Sequence, residues 1–441
     1  MSAPSSPADH QHPHRPGSAR AALSYPHFRR MWMASALSSV GTWMQNVVLP
    51  KYILDRTGNT TLVGLIVFAQ LGPLLLLSLP AGVIADRFDR RRWLVAMQLV
   101  QLAFSAALAP LASADAPLWA IMIAAIGVGT GNALNAPSWA AMLPTLVTKE
   151  DLPGSVSLNY TSLNGSRVIG PIIVAALVTN GATVSHIFLI NAATYLFVVG
   201  ALLITPVPRP TPMAKERPMK ALATGVRIVR SRPELSRLLL TLSSFSVISL
   251  PFVGLFVSVV RLQFGVNDKS TYEWMYSVWG FGAALGGLSV GTIFVRHDKR
   301  TVIRGGFVAF AITLGLFAVG TTPLWGFVVG FFLGIAYFMA TTAMNTIFQS
   351  RLEDNERGRV TALWFMSFGG SVPVGNLIFA PVIDAIGPRW VLGMGALWAL
   401  FLAWWCDIAA IDRRVEQQSG RHALQPDHAA ALDEHGLAAG E

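Results

Sequence analysis

One apolar stretch of the sequence carries four residues whose spacing places them on a single helix face. They are separated by four, three and four positions: Tyr160, Asn164, Arg167 and Pro171. Arg167 lies about 18 Å into this stretch, near its middle, at 1.5 Å per helical residue. An arginine at that depth predicts a contact with an anion or oxyanion of a substrate. The alternative is a structural cation, held between helices by asparagine side chains and backbone carbonyls.

Other polar residues interrupt apolar stretches in a similar way. They are candidates for a substrate pathway: Gln45, Asn46, Gln70, Asn132, Asn135, Tyr337, Asn345, Ser371 and Asn376. Each of them alone is more often a contact between helices than a ligand contact. Gly170 and Pro171 predict a kink whose freed carbonyl is satisfied by neighbouring groups. With few charges and many aromatic residues, a cavity here suits an amphipathic organic molecule better than a sugar.

A second stretch, GVIADRFDRRR at 82–92, concentrates charge between two apolar segments and recurs later in the chain. At an offset of 209 residues, GTIFVRHDKR at 291–300 matches it in glycine, arginine, aspartate and a basic pair. The paired positions are Gly82 with Gly291, Arg87 with Arg296, Asp89 with Asp298, Arg90 with Lys299 and Arg91 with Arg300. Asp86 breaks the match, because Val295 stands opposite it. An acid at such a helix end can meet the positive N-terminus of a neighbouring helix.

The elements that must position these residues are membrane helices. The chain of 441 residues is 53% hydrophobic and 13% charged, whereas a soluble domain carries about 25% charged residues. A helix crosses the bilayer core in roughly 20 residues. Twelve segments are long and apolar enough: 31–54, 61–84, 93–112, 117–140, 153–178, 184–205, 237–261, 273–294, 302–320, 323–347, 360–384 and 388–410.

The distribution of basic residues predicts the orientation. Of the 33 Lys and Arg residues, 27 fall on the side of the termini, 5 on the other side, and Arg167 within a span. Cytoplasmic loops collect Lys and Arg, so both termini are predicted to be cytoplasmic. The net charge of +10 is therefore explained by topology, and no nucleic-acid partner is expected.

The repeat and the basic loop after the sixth span predict an all-α protein with two pseudo-symmetric halves of six helices. The predicted parts are a disordered cytoplasmic arm at 1–27, a first half at 28–205, a basic cytoplasmic linker at 206–236, a second half at 237–411 and a cytoplasmic tail at 412–441. The linker is interpreted as flexible chain near anionic headgroups, with a regulatory site as the alternative.

The turn G-x-x-x-D-R-x-x-R-R between spans 2 and 3 resembles the signature of the major facilitator superfamily, and Gly82, Asp86, Arg87, Arg90 and Arg91 fill it. The resemblance covers all twelve spans. It implies that Asp86 latches this turn onto span 11 when the transporter opens outward; the alternative is a topology anchor. Two further stretches, GTWMQNVVLP and NAPSWAAMLPTLVTKEDLPGSVSLN, resemble the bacterial siderophore exporters of the enterobactin-exporter type.

The resemblance implies a secondary transporter of the bacterial inner membrane that exports small organic molecules by alternating access, as a monomer coupled to protons. An uptake permease, a membrane enzyme and a non-transporting sensor are the alternatives. No Walker loop, H-E-x-x-H motif or cysteine pair is present in the sequence, so neither ATP hydrolysis nor a metal or other cofactor is expected. The histidines lie in tails, at interfaces or in the turn after span 8, which argues against an enzyme.

Overall fold

A computed structural model describes residues 14–142, 145–206, 218–268 and 270–406, and within these ranges all regular structure is helical. The helices are α1 (Ala19–Ser24), α2 (Pro26–Thr57), α3 (Thr60–Arg87), α4 (Arg90–Ser113), α5 (Leu118–Met142), α6 (Leu152–Thr179), α7 (Val184–Ile204), α8 (Pro218–Ser231), α9 (Pro233–Ser244), α10 (Pro251–Gly254), α11 (Phe256–Phe264), α12 (Thr271–Gly291), α13 (Lys299–Val319), α14 (Pro323–Ser350), α15 (Asp354–Phe365), α16 (Ser371–Ile386) and α17 (Pro388–Trp405).

Many of these helices are membrane helices by length and composition. In the described part of the chain, eight helical segments are long and apolar enough to cross a bilayer. They begin at residues 60, 90, 118, 152, 184, 299, 323 and 359. The chain is therefore a multi-pass membrane protein, and its regular structure is helical throughout the described ranges.

Two of the predicted spans are interrupted by one wide turn each. A π-helical segment, Phe245–Ser249, separates α9 from α10, and Pro251 then starts the next helical turn. A second π segment, Met366–Gly370, joins α15 to α16. The sequence predicts continuous helices over 237–261 and 360–384, because the apolar run does not stop at either place. Wide turns of this kind occur often at functional sites.

The helices before residue 207 and those after residue 217 pack in matching pairs. In the first set, α3 packs on α5, α4 on α5, and α4 on α7. In the second set, α12 packs on α14, α13 on α14, and α13 on α17. The two sets meet chiefly where α3 lies against α16 and α6 lies against α12.

The loops at one end of the bundle, called here the distal end, are joined by hydrogen bonds. They comprise residues 58–59, 114–117, 180–183, 265–268, 320–322 and Gly387. Arg56 donates to the carbonyls of Asp115 and Ala116, and Gln263 donates to the carbonyl of Gly320 at 2.6 Å. The opposite end, called here the terminal end, includes the turns at 88–89 and 292–298.

Parts of the predicted linker and of the predicted N-terminal arm form helices. Helix α8 packs on α15 and on α3, so the linker predicted as flexible chain over 206–236 contains a docked helix. Within the arm predicted to be disordered over 1–27, helix α1 packs on α6, and Tyr25 donates to buried Asp151 at 2.9 Å. Hydrophobic periodicity did not predict either helix, because both are shorter than a membrane span.

Glycines set the distance between α12 and α14. A methyl group at Gly286 would collide with the backbone carbonyl of Ile335, and one at Gly282 with the carbonyl of Phe331. The two glycines are four residues apart, which is the small-residue spacing that lets membrane helices approach closely. Because the obstacles are backbone atoms, a side chain cannot be accommodated by a rotamer change.

Gly286→Ala should therefore destabilise the protein by about 1–3 kcal/mol, the usual cost of overpacking. Gly305→Ala is the matched control, since a methyl group there meets nothing within 4 Å; alanine should leave stability unchanged or raise it by about 0.5–1 kcal/mol. Thermal unfolding of both purified variants in detergent measures the difference. Equal melting temperatures would show that the helix contact is not tight.

Candidate functional site

Helix α6 presents its polar residues at the boundary between the two sets of helices. Tyr160 and Asn164 are exposed, and the Asn164 amide donates to the carbonyl of Tyr160 at 3.0 Å. Arg167 follows one turn later and is half-buried, while Pro171 is buried. Gly170 allows the close approach of α2, since a Cβ atom there would lie 2.8 Å from the Cβ of Trp43. The helix continues through Pro171 to Thr179.

Two aromatic rings flank the Arg167 guanidinium. Its central carbon lies 5.0 Å from the ring centroid of Trp43 on α2 and 5.7 Å from that of Phe338 on α14. Among the described residues, no carboxylate lies within 4.0 Å of Arg167. A guanidinium is attracted to the negative faces of aromatic rings, but these contacts leave its N–H donors able to bind oxygen atoms. Arg167 thus joins residues from both sets of helices and can still bind an anion.

The predicted pathway residue Gln45 lies elsewhere, in a buried polar cluster of the first helix set. Its Oε1 accepts hydrogen bonds from Ser105 at 2.7 Å and from Asn191 at 2.8 Å, and its side chain is 1% exposed. The Tyr195 hydroxyl lies 3.4 Å from the Asn191 amide. Gln45 is therefore satisfied by α4 and α7 and does not face the boundary between the helix sets.

Other predicted pathway residues connect neighbouring helices. Gln70 donates to Asn46 at 3.2 Å between α3 and α2, and Gln98 donates to Asn135 at 3.4 Å between α4 and α5. In these pairs the polar side chains join neighbouring helices, which is the alternative to a ligand contact.

The remaining pathway candidates lie on α14 and α16. Asn345 is half-buried and its Oδ1 atom has no hydrogen-bond partner within the described chain. Ser371 is half-buried directly after the second π segment. Asn376 is fully buried against Gly254, and neither of its amide atoms has a partner there.

The repeated turns share one local function, which is to start the following helix. Asp89 accepts from the backbone N–H of Arg92 at 3.0 Å, and Asp298 accepts from that of Arg300 at 3.0 Å. Both aspartates have nearly the same backbone angles, −58° and 120° against −60° and 118°. Matched N-caps at matched positions explain why the repeat retains this acid.

The basic residues of the turns bind backbone carbonyls, Arg91 at a helix end and Lys299 within its own turn. Arg91 donates to the carbonyl of Leu203 at the end of α7. Lys299 donates to the carbonyls of Phe294, Val295 and His297. A cation at a helix C-terminus is favourable because the last carbonyls lack partners.

The predicted gating motif has further members. The side chains of Gly82, Asp86 and Arg87 lie outside the described residues, so their roles stay predictions. Arg296 is exposed, and a methyl group at Gly291 would meet nothing within 4 Å. Gly291 therefore does not mediate a close helix contact.

Four charged residues at the distal end, called here the distal charge cluster, were not predicted as a site. Lys51 lies 3.7 Å from Asp55 and 3.8 Å from Glu273, and Arg261 pairs with Asp55. Lys51 and Asp55 belong to α2, whereas Arg261 and Glu273 belong to the second helix set. The sequence did carry a signal, since the few ionisable residues of the distal side fall at the ends of spans 1, 7 and 8.

A further acid at the distal end joins α16 to α3. Asp384 accepts from the backbone N–H groups of Thr60 and Thr61, at 2.9 and 2.7 Å, and from the Thr61 hydroxyl at 2.7 Å. A carboxylate at a helix N-terminus satisfies otherwise unpaired N–H groups and the helix dipole. Because Asp384 and Thr60 lie in different helix sets, this contact also closes the distal end.

The helical membrane fold, with a cation and aromatic rings at the junction of two helix sets, is that of a polytopic transporter. The family of transmembrane secretion effectors matches residues 17–436, and the chain belongs to this family of the major facilitator superfamily. The resemblance given by the 82–92 turn is confirmed.

Curated relatives and solved structures agree with this family. The chain is 25% identical over 386 residues to the enterobactin exporter EntS of Shigella boydii serotype 4, covering 85% of this chain and 86% of the relative. The EntS of Salmonella typhi is 24% identical over 382 residues, covering 85% and 87%.

The fold is similar to that of the nucleoside transporter NupG, with a TM-score of 0.68 at 13% identity over 86% of this chain and 98% of that one. It is also similar to a bacterial homologue of the human lysosomal transporter Spinster, with a TM-score of 0.64 at 14% identity over 87% and 97%.

The buried cluster around Gln45 gives a stability prediction. Asn191→Leu should destabilise the protein by about 1–3 kcal/mol, because the carbonyl oxygen of Gln45 loses a donor in a buried place. Asn180→Leu is the control: this asparagine is exposed and bonds locally to Ala176, so a change within about 0.5 kcal/mol is expected. Thermal unfolding in detergent checks both, and equal melting temperatures would contradict the importance of the cluster.

Proposed function

We propose that this protein exports a small, anionic organic molecule by alternating access around a central site at Arg167. The observation that carries the proposal is the position of Arg167 between Trp43 and Phe338, where both helix sets contribute to one site. The guanidinium can bind carboxylate or phenolate oxygens of a ligand in charge-assisted hydrogen bonds. The neighbouring rings can pack against its flat apolar parts.

The relatives suggest the substrate class. Their names describe exporters of enterobactin, and the match extends over most of both chains. We infer a siderophore or a similar metabolite or drug as the substrate and the outward direction as the direction of transport. The same fold could serve an uptake permease, and an export assay distinguishes the two. An enzyme or a sensor is not supported by the family.

The proposed architecture has twelve spans in two halves. The eight candidate spans are joined by four more helical segments, which are α2, the interrupted run α9–α11, α12 and α17. The matching helix pairs and the matched caps Asp89 and Asp298 support a repeat with its boundary between α7 and α8. Two repeats around a midplane site are a common plan among transporters.

The contacts between the helix sets suggest which side is closed. At the distal end they are joined by the distal charge cluster, by Asp384 with Thr60, and by Tyr272, which donates to the carbonyl of Val47 at 3.3 Å. Toward the terminal end, Tyr160, Leu163 and Asn164 are exposed on α6. This asymmetry supports a conformation that is shut at the distal end and open toward the terminal end.

The excess of Lys and Arg on the side of the termini supports a cytoplasmic location for the terminal end of this protein in the bacterial inner membrane. The closed distal end then faces outward. A proton gradient is the proposed driving force, and a monomer is the proposed unit. Under this assignment, the bundle is ready to accept a cytoplasmic substrate.

Substitution of Arg167 tests the substrate site. Arg167→Gln should lower export about ten- to hundredfold, since a hydrogen bond to a charged group is worth roughly 1.5–3 kcal/mol and about 1.4 kcal/mol is a factor of ten. Arg167→Lys should retain part of the activity. The measurement is enterobactin in the medium of a producing strain that lacks its own exporter and expresses each variant at equal membrane level.

Arg389→Gln is the matched control, because this exposed arginine lies outside the proposed site and its loss should not change export. If the Arg167→Gln variant exports as well as the parent, Arg167 does not bind the substrate. If that variant does not accumulate in the membrane, the structural alternative is supported.

The orientation has its own test. Cysteines replacing Lys220 and, separately, Asp115 are both at exposed positions, and buried Cys406 can be replaced by serine as background. An impermeant thiol reagent on intact spheroplasts should label position 115 alone, with position 220 labelled only after permeabilisation. The reverse pattern would place the termini outside.

A further inference from the structure

Glu273 is a buried acid at the interface between the two helix sets. Its side chain is 1% exposed, and its Oε1 atom lies 3.8 Å from the Lys51 ammonium. The Oε2 atom is buried without a hydrogen-bond partner in the described part of the chain. Lys51 is 15% exposed and belongs to α2, so the cation and the acid come from opposite sides of the interface.

Few other charges face Glu273. From α2, Asp55 is near through its shared contact with Lys51, and Arg261 of α11 is directed to Asp55. Asp268 lies in the loop before α12 and accepts from the N–H groups of Ser270 and Thr271. Both neighbouring acids repel a second negative charge, so the attraction by Lys51 is what favours a charged Glu273.

The other described helices that pack against α12, which are α6 and α14, place no further charged side chain beside Glu273. The ionisable residues of α6 and α14 nearest to it are Arg167 and Tyr337, and Tyr337 stacks on Trp279 at 5.9 Å between ring centroids, about two helical turns further in. On α12 itself, the phenols of Tyr272 and Tyr276 are the neighbouring groups. Their neutral hydroxyls cannot replace the positive charge of Lys51.

Opening of the distal end must separate Lys51 from Glu273, because the two residues lie on helices that belong to different sets. A carboxylate left in an apolar place without its cation binds a proton, since burial disfavours the charged form. When Lys51 returns to Glu273, the charged form of the carboxylate is favoured again. The proton affinity of this one group therefore differs between the two conformations, which is what coupling requires.

We propose that Glu273 is the proton-binding residue of the transporter and that its pairing with Lys51 holds the distal end shut. Protonation of a carboxylate oxygen removes the attraction to Lys51 and favours the open distal end; the acid returns its proton to water when Lys51 comes back. No other bond forms or breaks. The coupling to transport rests on the proposed function, whereas the protonation-dependent closure does not.

The test measures closure without a substrate. Nitroxide labels at Ala114→Cys and Leu324→Cys, exposed positions at the distal end in different helix sets, report the distance across it in lipid nanodiscs. With Cys406→Ser as background, the parent should shift to longer distances as the pH falls. Glu273→Gln, which mimics the protonated acid, should show the longer distances throughout and lose the dependence on pH.

Two further variants separate a proton site from a simple loss of ion pairing. Lys51→Met should also populate the longer distances, because Glu273 then stays protonated. Asp55→Asn is the matched control: it removes contacts of Lys51 and Arg261 but is 43% exposed in the parent, and it should retain a pH response. A response that persists in Glu273→Gln, or one that is lost equally in Asp55→Asn, overturns the proposal.

The export assay keeps the two proposals apart. If the parent exports enterobactin but its distal distance does not change with pH, Glu273 is not the proton site. If the parent does not export enterobactin but shows a pH response that Glu273→Gln abolishes, the proton site is supported and the proposed substrate is wrong.

Discussion

An isolated charge in the apolar interior of this bundle would cost several kcal/mol, and this cost governs where the chain places its few ionisable residues. Arg167, within a span, lies against two aromatic rings. Glu273 lies beside Lys51, and Asp384 lies against the start of α3. In each case the stabilising partner belongs to the other helix set, at least in part. The same contacts that make a charge tolerable therefore also join the two sets.

The two copies of the turn share the start of the following helix and differ in the helix that precedes it. Asp89 and Asp298 start α4 and α13 in the same way, and helix initiation is needed in both copies. The preceding helices differ, because α3 extends to Arg87 whereas α12 ends at Gly291, five residues before the position equivalent to Arg87. Val295, opposite Asp86, thus lies in an irregular turn. An aspartate at position 295 would therefore not lie at the end of a helix. This is a physical reason why the second copy of the turn lacks the acid.

Much of the fold could be predicted from the sequence, because hydrophobic length and the distribution of charge are one-dimensional properties. The approximate limits of most membrane helices follow from them, whereas the superfamily is indicated by the resemblance of the turn at 82–92 to the family signature. The π segments could not be predicted, since Phe245–Ser249 and Met366–Gly370 are as apolar as regular helix. The direction of each side chain could not be predicted either. Gln45 and Asn46 are adjacent, yet Gln45 bonds to α4 and α7 whereas Asn46 bonds to α3. Pairing across 200 residues, as between Lys51 and Glu273, requires the tertiary structure.

The glycine contact between α12 and α14 has a mechanical consequence. With Gly282 and Gly286 of α12 against backbone carbonyls of α14, the two helices cannot slide past each other without a collision between backbones. They behave as one stiff lever, with Glu273 near its distal end and Phe338 near its middle. A displacement of Phe338, which lies beside Gly287 of α12, would then move the acid about four helical turns away, without any chain of side-chain rearrangements.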